Sequence, residues 1–433
     1  MRILLLILIC FLSVNCAYCY NLDFFSRFSD KFLDEYIKEA LINNHDLKAA
    51  NQKLEQYRFQ IKEQFAKELP QASVMSNYAG AHFPVNDNNI FIKQNSYVLP
   101  IRASYEPDLL LKNRDKTKSK RKLFMAQCAN KDSVYISLLS DVACAYINIL
   151  LFDYLIEKEL QILNSKIQSL SYNSKKYKSG IIDTVEFNNY LKELENEKII
   201  YENLVKNQKN TLFNFASLIG RSSDNYQELK RGRLEDFEYI ETIPDIINSD
   251  LIYSRPDVIE IENKLRSSKI DITVAKKEFF PSFNITGFLV FDTAGAGNFF
   301  SWESSFAFLI AGLAQDIFKG GEKIANLKIK KAKYLELFEQ YKQIELNAIK
   351  EINSTLNAIK QDTKSENTSK NQVIIEKRNL NATNKKLKRG IVSNIDYLDN
   401  KILLSQKEQL SATVKAQRLA DYLSLYKAVG GKL

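Results

Sequence analysis
The sequence predicts a membrane chain of mixed α+β class, built from two copies of one unit of long helices and short amphipathic strands. Three observations predict it. Two stretches echo one another, Tyr177 to Asn189 (YKSGIIDTVEFNN) and Leu387 to Asp399 (LKRGIVSNIDYLD), with their glycines separated by 390 − 180 = 210 residues. Glycine and proline are scarce, 13 and 7 in 433 residues, which favours long helices over many loops. Four stretches alternate apolar and polar residues, as half-exposed strands do.

The chain opens with Arg2 and an apolar run, Ile3 to Val14, followed by small and polar residues. The run is too short for a spanning helix and fits an export signal. Ala17-Tyr18-Cys19 places small residues for cleavage before Tyr20. Lipid attachment at Cys16 is the competing reading, with Asn15 a poor residue before a lipidated cysteine. Cys128 and Cys144 lie sixteen residues apart on one predicted helix, about 24 Å at helical rise, and so cannot pair with each other.

Asp30 to Leu69 reads as one helix without an internal breaker, closed by Pro70. Ala72 to Tyr78 and Ser96 to Glu106 alternate as strands, with Pro100 a mild objection to the second. From Asn113 to Tyr177 neither proline nor glycine occurs, which predicts a helix of about 97 Å. Its segment Val134 to Ile156 is apolar, but Asp141, Asn148 and Asp153 favour packing on neighbouring helices over a membrane span. A helix from Asp183 to Leu218 follows the Gly180 turn, and Arg221 to Asp250 reads as a polar link. The second half repeats the order. Arg255-Pro256-Asp257 opens a helix closed by Pro281. SFNITGFLVF and WESSFAFLIAGLAQD alternate, the latter with Trp302, Ser304, Phe306, Phe308 and Ile310 on one face. A helix from Gly321 to Lys388, the Gly390 turn and a last helix to Gly430 complete it. The organisation expected is a signal peptide (1–19), a first repeat (20–220), a linking segment (221–254) and a second repeat (255–433).

Each strand is long enough to cross a bilayer when tilted. Four strands cannot close a barrel, and open edges are prohibitive in lipid, so several copies are needed. Trp302, Phe299, Phe300, Tyr97 and Tyr105 suit interfacial girdles. Net charge +9 comes from lysines interleaved with Glu and Asp, as on solvated helix faces. No basic patch with interleaved aromatics occurs, so nucleic acid is not an expected partner. The two histidines, His45 and His82, lack metal-ligand spacing, and no P-loop, nucleophile elbow or dinucleotide fingerprint is present. Gly295-Ala296-Gly297 sits between strands and reads as a hairpin loop. No enzyme activity, metal or cofactor is expected.

RPDVIEIENKLRSSKIDITVAKKEFFPSFNITG, the two glycine turns and the closing YKAVGG together resemble the TolC-like outer-membrane efflux proteins, over nearly the whole mature chain. The resemblance implies a homotrimer with a twelve-stranded β-barrel, four strands per chain, in outer-membrane lipid, continued by an α-helical coiled-coil barrel in the periplasm. It implies two partners, a periplasmic adaptor (membrane fusion protein) and an inner-membrane RND or ABC transporter. The duct would be passive, for efflux of small molecules or, as in type I secretion, for a protein.

By the same resemblance, Gly180, Ile181, Ile182 and Asp183, and Gly390, Ile391, Val392 and Ser393, are the adaptor-contacting tips. Asp396 and Asp399 match the Asp-x-x-Asp of the periplasmic constriction, where threefold symmetry would make two carboxylate rings. Glu186 and Asn189 are the weaker first-repeat equivalents. Val392 stands where the family's type member has an arginine, which leaves the latch partner open. For Asp396 the residues alone also fit a capping acid. The alternative function is a structural or adhesive coiled-coil surface protein.

Overall fold
The computed structural model describes residues 23–28, 30–84, 91–239, 250–293 and 302–432. The expected signal peptide, Cys16, and the loop with Gly295, Phe299 and Phe300 lie outside the described residues. The helices are α1 (Asp23–Ser26), α2 (Lys31–Asn43), α3 (His45–Ala66), α4 (Lys112–Lys178), α5 (Thr184–Leu218), α6 (Asp250–Tyr253), α7 (Pro256–Lys277), α8 (Glu322–Lys388) and α9 (Asn394–Ala428). The strands are β1 (Gln71–Val74), β2 (Asn77–Pro84), β3 (Phe91–Tyr105), β4 (Ser282–Thr293) and β5 (Ser305–Ala314).

Element lengths recur. α3 and α7 have 22 residues each, α4 and α8 have 67, and α5 and α9 have 35. Their starts differ by 256 − 45 = 211, 322 − 112 = 210 and 394 − 184 = 210 residues. At helical rise, α4 and α8 are each about 100 Å long. One expectation fails: Asp30 to Leu69 is two helices, α2 and α3. Asn44 divides them. Its N–H still donates to the Ala40 carbonyl, while its Oδ1 accepts from the Leu47 N–H at 2.9 Å. The residue closes one helix and caps the next, a role suited to Asn rather than to a breaker.

The chain forms two compact units. One comprises Met1–Asn51, Asn130–Val258 and Ile344–Leu433. Its core gathers Phe24, Phe25, Phe28, Tyr146, Phe215, Phe237 and Tyr426, all at most 1% exposed. Phe24 stacks on Tyr426 with ring centroids 4.6 Å apart. Burying each such ring is worth about 1.5–3 kcal/mol. α9 presents Leu398, Ile402, Ser405, Gln409, Ala412, Ala416, Leu419, Leu423 and Tyr426, alternating four and three apart, as a heptad seam does. The apolar stretch of α4 is long enough to cross a membrane by composition, yet most of it is buried within the protein. Leu139, Val142, Tyr146 and Leu150 lie in this core. Both Cys128 and Cys144 lie on α4, and Cys144 is a free thiol.

The segment read as a polar link is packed into the same unit. Leu229, Leu234 and Phe237 are buried there, Tyr36 Oη donates to the Lys230 carbonyl at 2.8 Å, and the Gly232 N–H donates to Tyr146 Oη at 3.0 Å. Arg231 pairs with Asp153 of α4, and Arg221 with Glu39 of α2 at 2.5 Å. Its polar composition hid three apolar anchors. Residues 240–249 of the expected link lie outside the described residues.

The other unit comprises Gln52–Ala129 and Ile259–Gln343 and holds one antiparallel sheet. β1 and β2 both pair with β3 in a single register, Gln71 with Ser104 through Pro84 with Phe91. They are one strand interrupted at Met75. Met75 donates to the Pro100 carbonyl at 3.1 Å, but Pro100 has no N–H to return. The proline breaks the ladder on that side only. Toward β4, β3 pairs without interruption from Tyr97–Thr293 to Tyr105–Ile285. β4 then pairs with β5. The sheet therefore has four strand lines, and its two outer lines are edges.

Register assigns the faces. Tyr97, Leu99, Ile101, Ala103 and Tyr105 lie opposite Ala72, Val74 and Tyr78 on one side, and Ile285 to Thr293 (odd numbers) on the other. Leu309 and Leu313 continue that face, which carries no charge over these residues. Arg102, Phe288, Phe306, Phe308 and Ile310 share the reverse face; the Arg102 guanidinium lies 5.8 Å from the Phe288 ring centre. The apolar run of β5 thus faces away from the apolar run of β3.

Glycine caps offer a test of this packing. Gly220 has φ 77°, and a Cβ there would lie 2.7 Å from Asn43 Cβ and 2.8 Å from the Asn43 carbonyl oxygen. Gly180 has φ 70° with nothing within 4 Å of such a Cβ. Left-handed backbone alone costs an L-residue about 1–2 kcal/mol. Gly180→Ala should lower the thermal midpoint modestly, and Gly220→Ala by at least twice as much; equal shifts would contradict the close approach at Asn43.

Candidate functional site
The candidate site is the pair of helical-hairpin turns joining α4 to α5 and α8 to α9. Both follow one backbone plan. Gly180 donates to the Tyr177 carbonyl at 3.0 Å and Ile181 to the Lys176 carbonyl at 2.9 Å. Gly390 donates to Leu387 at 2.9 Å and Ile391 to Lys386 at 3.0 Å. This paired closure satisfies the last helical carbonyls and requires positive φ at the glycine, 70° and 71° here.

The cap of the next helix stands three residues after the glycine. Asp183 Oδ1 accepts from the Glu186 N–H at 2.8 Å. In the second turn Ser393 Oγ accepts from the Asp396 N–H at 3.2 Å, and Asp396 Oδ2 accepts from the Ser393 N–H at 2.8 Å. The result is a reciprocal capping box. The first turn is braced differently: Tyr177 stacks on Phe187 at 4.8 Å, and their second-repeat counterparts are Leu387 and Tyr397.

The expected tip residues are accessible. Ile181 and Ile391 are 71% and 65% exposed, and Ile182 and Val392 are half-buried. A hydrophobic residue after such a glycine ordinarily packs back on its own helix. Here both isoleucines project into solvent.

Asp396 is exposed, and the Ser393 hydroxyl and N–H hold its carboxyl below the ordinary range. Asp399, one turn on, is exposed on the side that faces the first hairpin. Desolvation by the surrounding helices raises its pKa; the Lys166 charge pulls it down, and Asp396 and Glu193 push it up. Lys166 pairs with Glu193 at 2.6 Å. Tyr190 Oη donates to Glu186 at 3.4 Å, and Asn189 is exposed.

The first hairpin's Lys166 and Glu193 were not singled out in the sequence. A signal was present: they stand 180 − 166 = 14 and 193 − 180 = 13 residues from the Gly180 turn, so the hairpin brings them face to face. Ser369 and Ser411, each 21 from Gly390, meet in the same way at 3.3 Å.

The chain matches the profile of the outer membrane efflux protein family over residues 36–221 and 248–431. It belongs to that family. The match takes in both hairpin turns, and the chain is an outer-membrane efflux protein. The cation efflux system protein CusC of Escherichia coli is 23% identical over 425 residues, covering 96% of this chain and 91% of CusC. The antibiotic efflux pump outer membrane protein ArpC of Pseudomonas putida is 24% identical over 411 residues, covering 93% and 84%. In fold, the chain is similar to the CmeC outer membrane channel of Campylobacter jejuni, with a TM-score of 0.86, 22% identity, and coverage of 96% of this chain and 89% of CmeC.

Opposite pKa shifts give opposite pH dependences. The depressed Asp396 contributes stability above its ordinary value and loses it as pH falls through the lower folded value. The raised Asp399 contributes below its ordinary value and loses that as pH rises through the higher folded one. Thermal melts should therefore show Ser393→Ala less stable at neutral pH by a few degrees. Asp399→Asn should be more stable at neutral pH, with the gain vanishing in acid; a loss at neutral pH would contradict the crowding of Asp399.

Proposed function
We propose that three copies of this chain form a passive duct through the outer membrane, energised by its partners. The observation that carries the reading is the sheet. It has four strand lines, two unpaired edges and one face that is uncharged from Tyr97 to Tyr105. In hydrocarbon each unpaired backbone group costs several kcal/mol, so an open sheet cannot stand in lipid. Three copies edge to edge supply twelve strands and close it. The face of Tyr97, Ile101, Tyr105 and Leu309 then meets lipid, with tyrosines at its ends. The face of Arg102 lines the lumen.

The organisation that goes with this reading is an export signal at 1–19, with Cys16 as the competing lipid-attachment residue. Repeats at 20–220 and 255–433 are joined by 221–254. The helices form the periplasmic tube. Its tips, around Gly180 and Gly390, meet a membrane fusion protein that couples the duct to an RND or ABC transporter. Asp396 and Asp399 of three chains ring the entrance, with Glu186 and Asn189 at the equivalent first-repeat positions. Asp396 uses Oδ2 in its cap and stays ionised across the physiological range, as an electrostatic ring requires. Lys166 of the first hairpin is the candidate latch for Asp399, in place of the arginine that Val392 replaces.

Of the two relatives, one belongs to a cation efflux system and the other to an antibiotic efflux pump. The duct, rather than one cargo, is their common ground. Small toxic solutes are the cargo favoured here, with type I secretion of a protein the second arrangement of the same duct. Transport, not catalysis, is the activity. The coiled-coil adhesin alternative falls with the family match.

In the parent bacterium, deleting this chain should increase susceptibility to at least one exported solute, and the intact chain should restore resistance. In a planar bilayer, Asp396→Ala with Asp399→Ala should raise basal conductance by about tenfold, the scale of a removed electrostatic barrier of about 1.4 kcal/mol. Unchanged conductance would remove the two aspartates from the gate and leave the duct.

A further inference from the structure
Far from its turn, the second hairpin brings two carboxyl groups together away from water. Asp362 of α8 stands 390 − 362 = 28 residues before Gly390, and Asp421 of α9 stands 421 − 390 = 31 after it. Both therefore lie at one level, about 45 Å from the turn at helical rise. Asp421 is 8% exposed. Its Oδ1 accepts from the Gln417 amide at 3.1 Å, while its buried Oδ2 has no donor among the described residues. Asp362, half-buried, lies within hydrogen-bond reach of the Asp421 carboxyl.

Among the described residues no cation pairs with either acid. On α9, Arg418 pairs with Glu366 and donates to Tyr422 Oη at 2.7 Å. Lys415 donates to the Leu234 and Glu235 carbonyls at 2.9 and 3.0 Å, with Glu238 3.7 Å away. On α8, Lys370 pairs with Glu366 at 2.8 Å. Two carboxylates this close in a desolvated site cannot both stay ionised. An acceptor facing an acceptor forms no hydrogen bond until one of them carries a proton.

We propose that Asp362 and Asp421 form a binding site for one shared proton, which fastens α8 to α9. The protonated acid donates its O–H to a carboxylate oxygen of the other, and no other bond changes. Desolvation, and then Asp362, push Asp421 up to about 6. The fastening is full below the ordinary carboxyl range and is lost as pH rises through the folded value, where two like charges come to face one another. A metal ion fits the pair less well. Hard divalent cations take six or more oxygens. Gln417 presents a donor here, and no group of three His, Cys, Asp or Glu able to hold a metal occurs among the described residues. In the duct proposed above, the pair is a pH-sensitive clasp in the tube wall; that consequence rests on the duct reading, and the proton site does not.

The test uses the full chain in detergent. Infrared difference spectra between the native chain and Asp421→Asn should show the C=O stretch of a protonated carboxyl in the native chain at about pH 5, and the band should vanish by about pH 7.5. Over the same range the native thermal midpoint should fall several degrees more than that of Asp421→Asn or Asp362→Asn, because an amide donates to the remaining carboxylate at either pH. Absence of the band at the lower pH, or equal pH slopes in the native chain and both variants, would overturn the shared proton. A midpoint raised by millimolar Mg²⁺ or Ca²⁺ at the upper pH in the native chain alone would overturn it in favour of a divalent-cation site. None of these readouts needs conduction, so a failure of the duct in a planar bilayer is separate from a failure here.

Discussion
An open sheet edge is the constraint on which the rest of this chain depends. The strand made of β1 and β2 has one outer row of backbone groups, and β5 has another. Water can satisfy such rows; hydrocarbon cannot. Family membership puts the chain in an outer membrane, and in the duct proposed above the sheet stands in lipid with its edges satisfied by strands of other copies. Pro100 fits the same logic. Its missing N–H falls on the side of Met75, within an already paired ladder, and costs one internal bond while leaving the pairing with β4 whole.

The second constraint is termination. Helices of 67 residues must stop at a defined place if they are to present a tip. Each long helix ends in a glycine at positive φ, and each following helix begins with a side-chain cap. Those groups satisfy the backbone locally and fix the direction of the turn. Side chains at the tip other than Asp183, Ser393 and Asp396 are then free of capping duty. Two exposed isoleucines, Ile181 and Ile391, are what that freedom leaves.

Much of the fold was legible because long helices and breakers leave strong signals. The 210-residue offset between Gly180 and Gly390 recurs in the starts of α4 and α8 and of α5 and α9. Other features were hidden for physical reasons. Asn44 breaks a helix by closing α2 with its backbone N–H and capping α3 with its side-chain oxygen, which no scarcity of glycine and proline reveals. The segment after Arg221 looked polar because three anchors, Leu229, Leu234 and Phe237, are spaced among charges. Alternation along β5 showed two faces but not which one joins the face of Tyr97; only register with β4 decides that. At the site, both glycine turns and the acid at Asp396 could be read directly. The crowding of Asp399 by Lys166 and Glu193 required the hairpins to be brought together in space.

The central claim is that several copies close the sheet into a channel. The most direct measurement is the native mass of the mature chain in detergent, followed by reconstitution of that species in a planar bilayer. Closure by edge pairing predicts a species of three chains that conducts ions in discrete steps. A single chain that stays soluble without detergent and carries no current would contradict it.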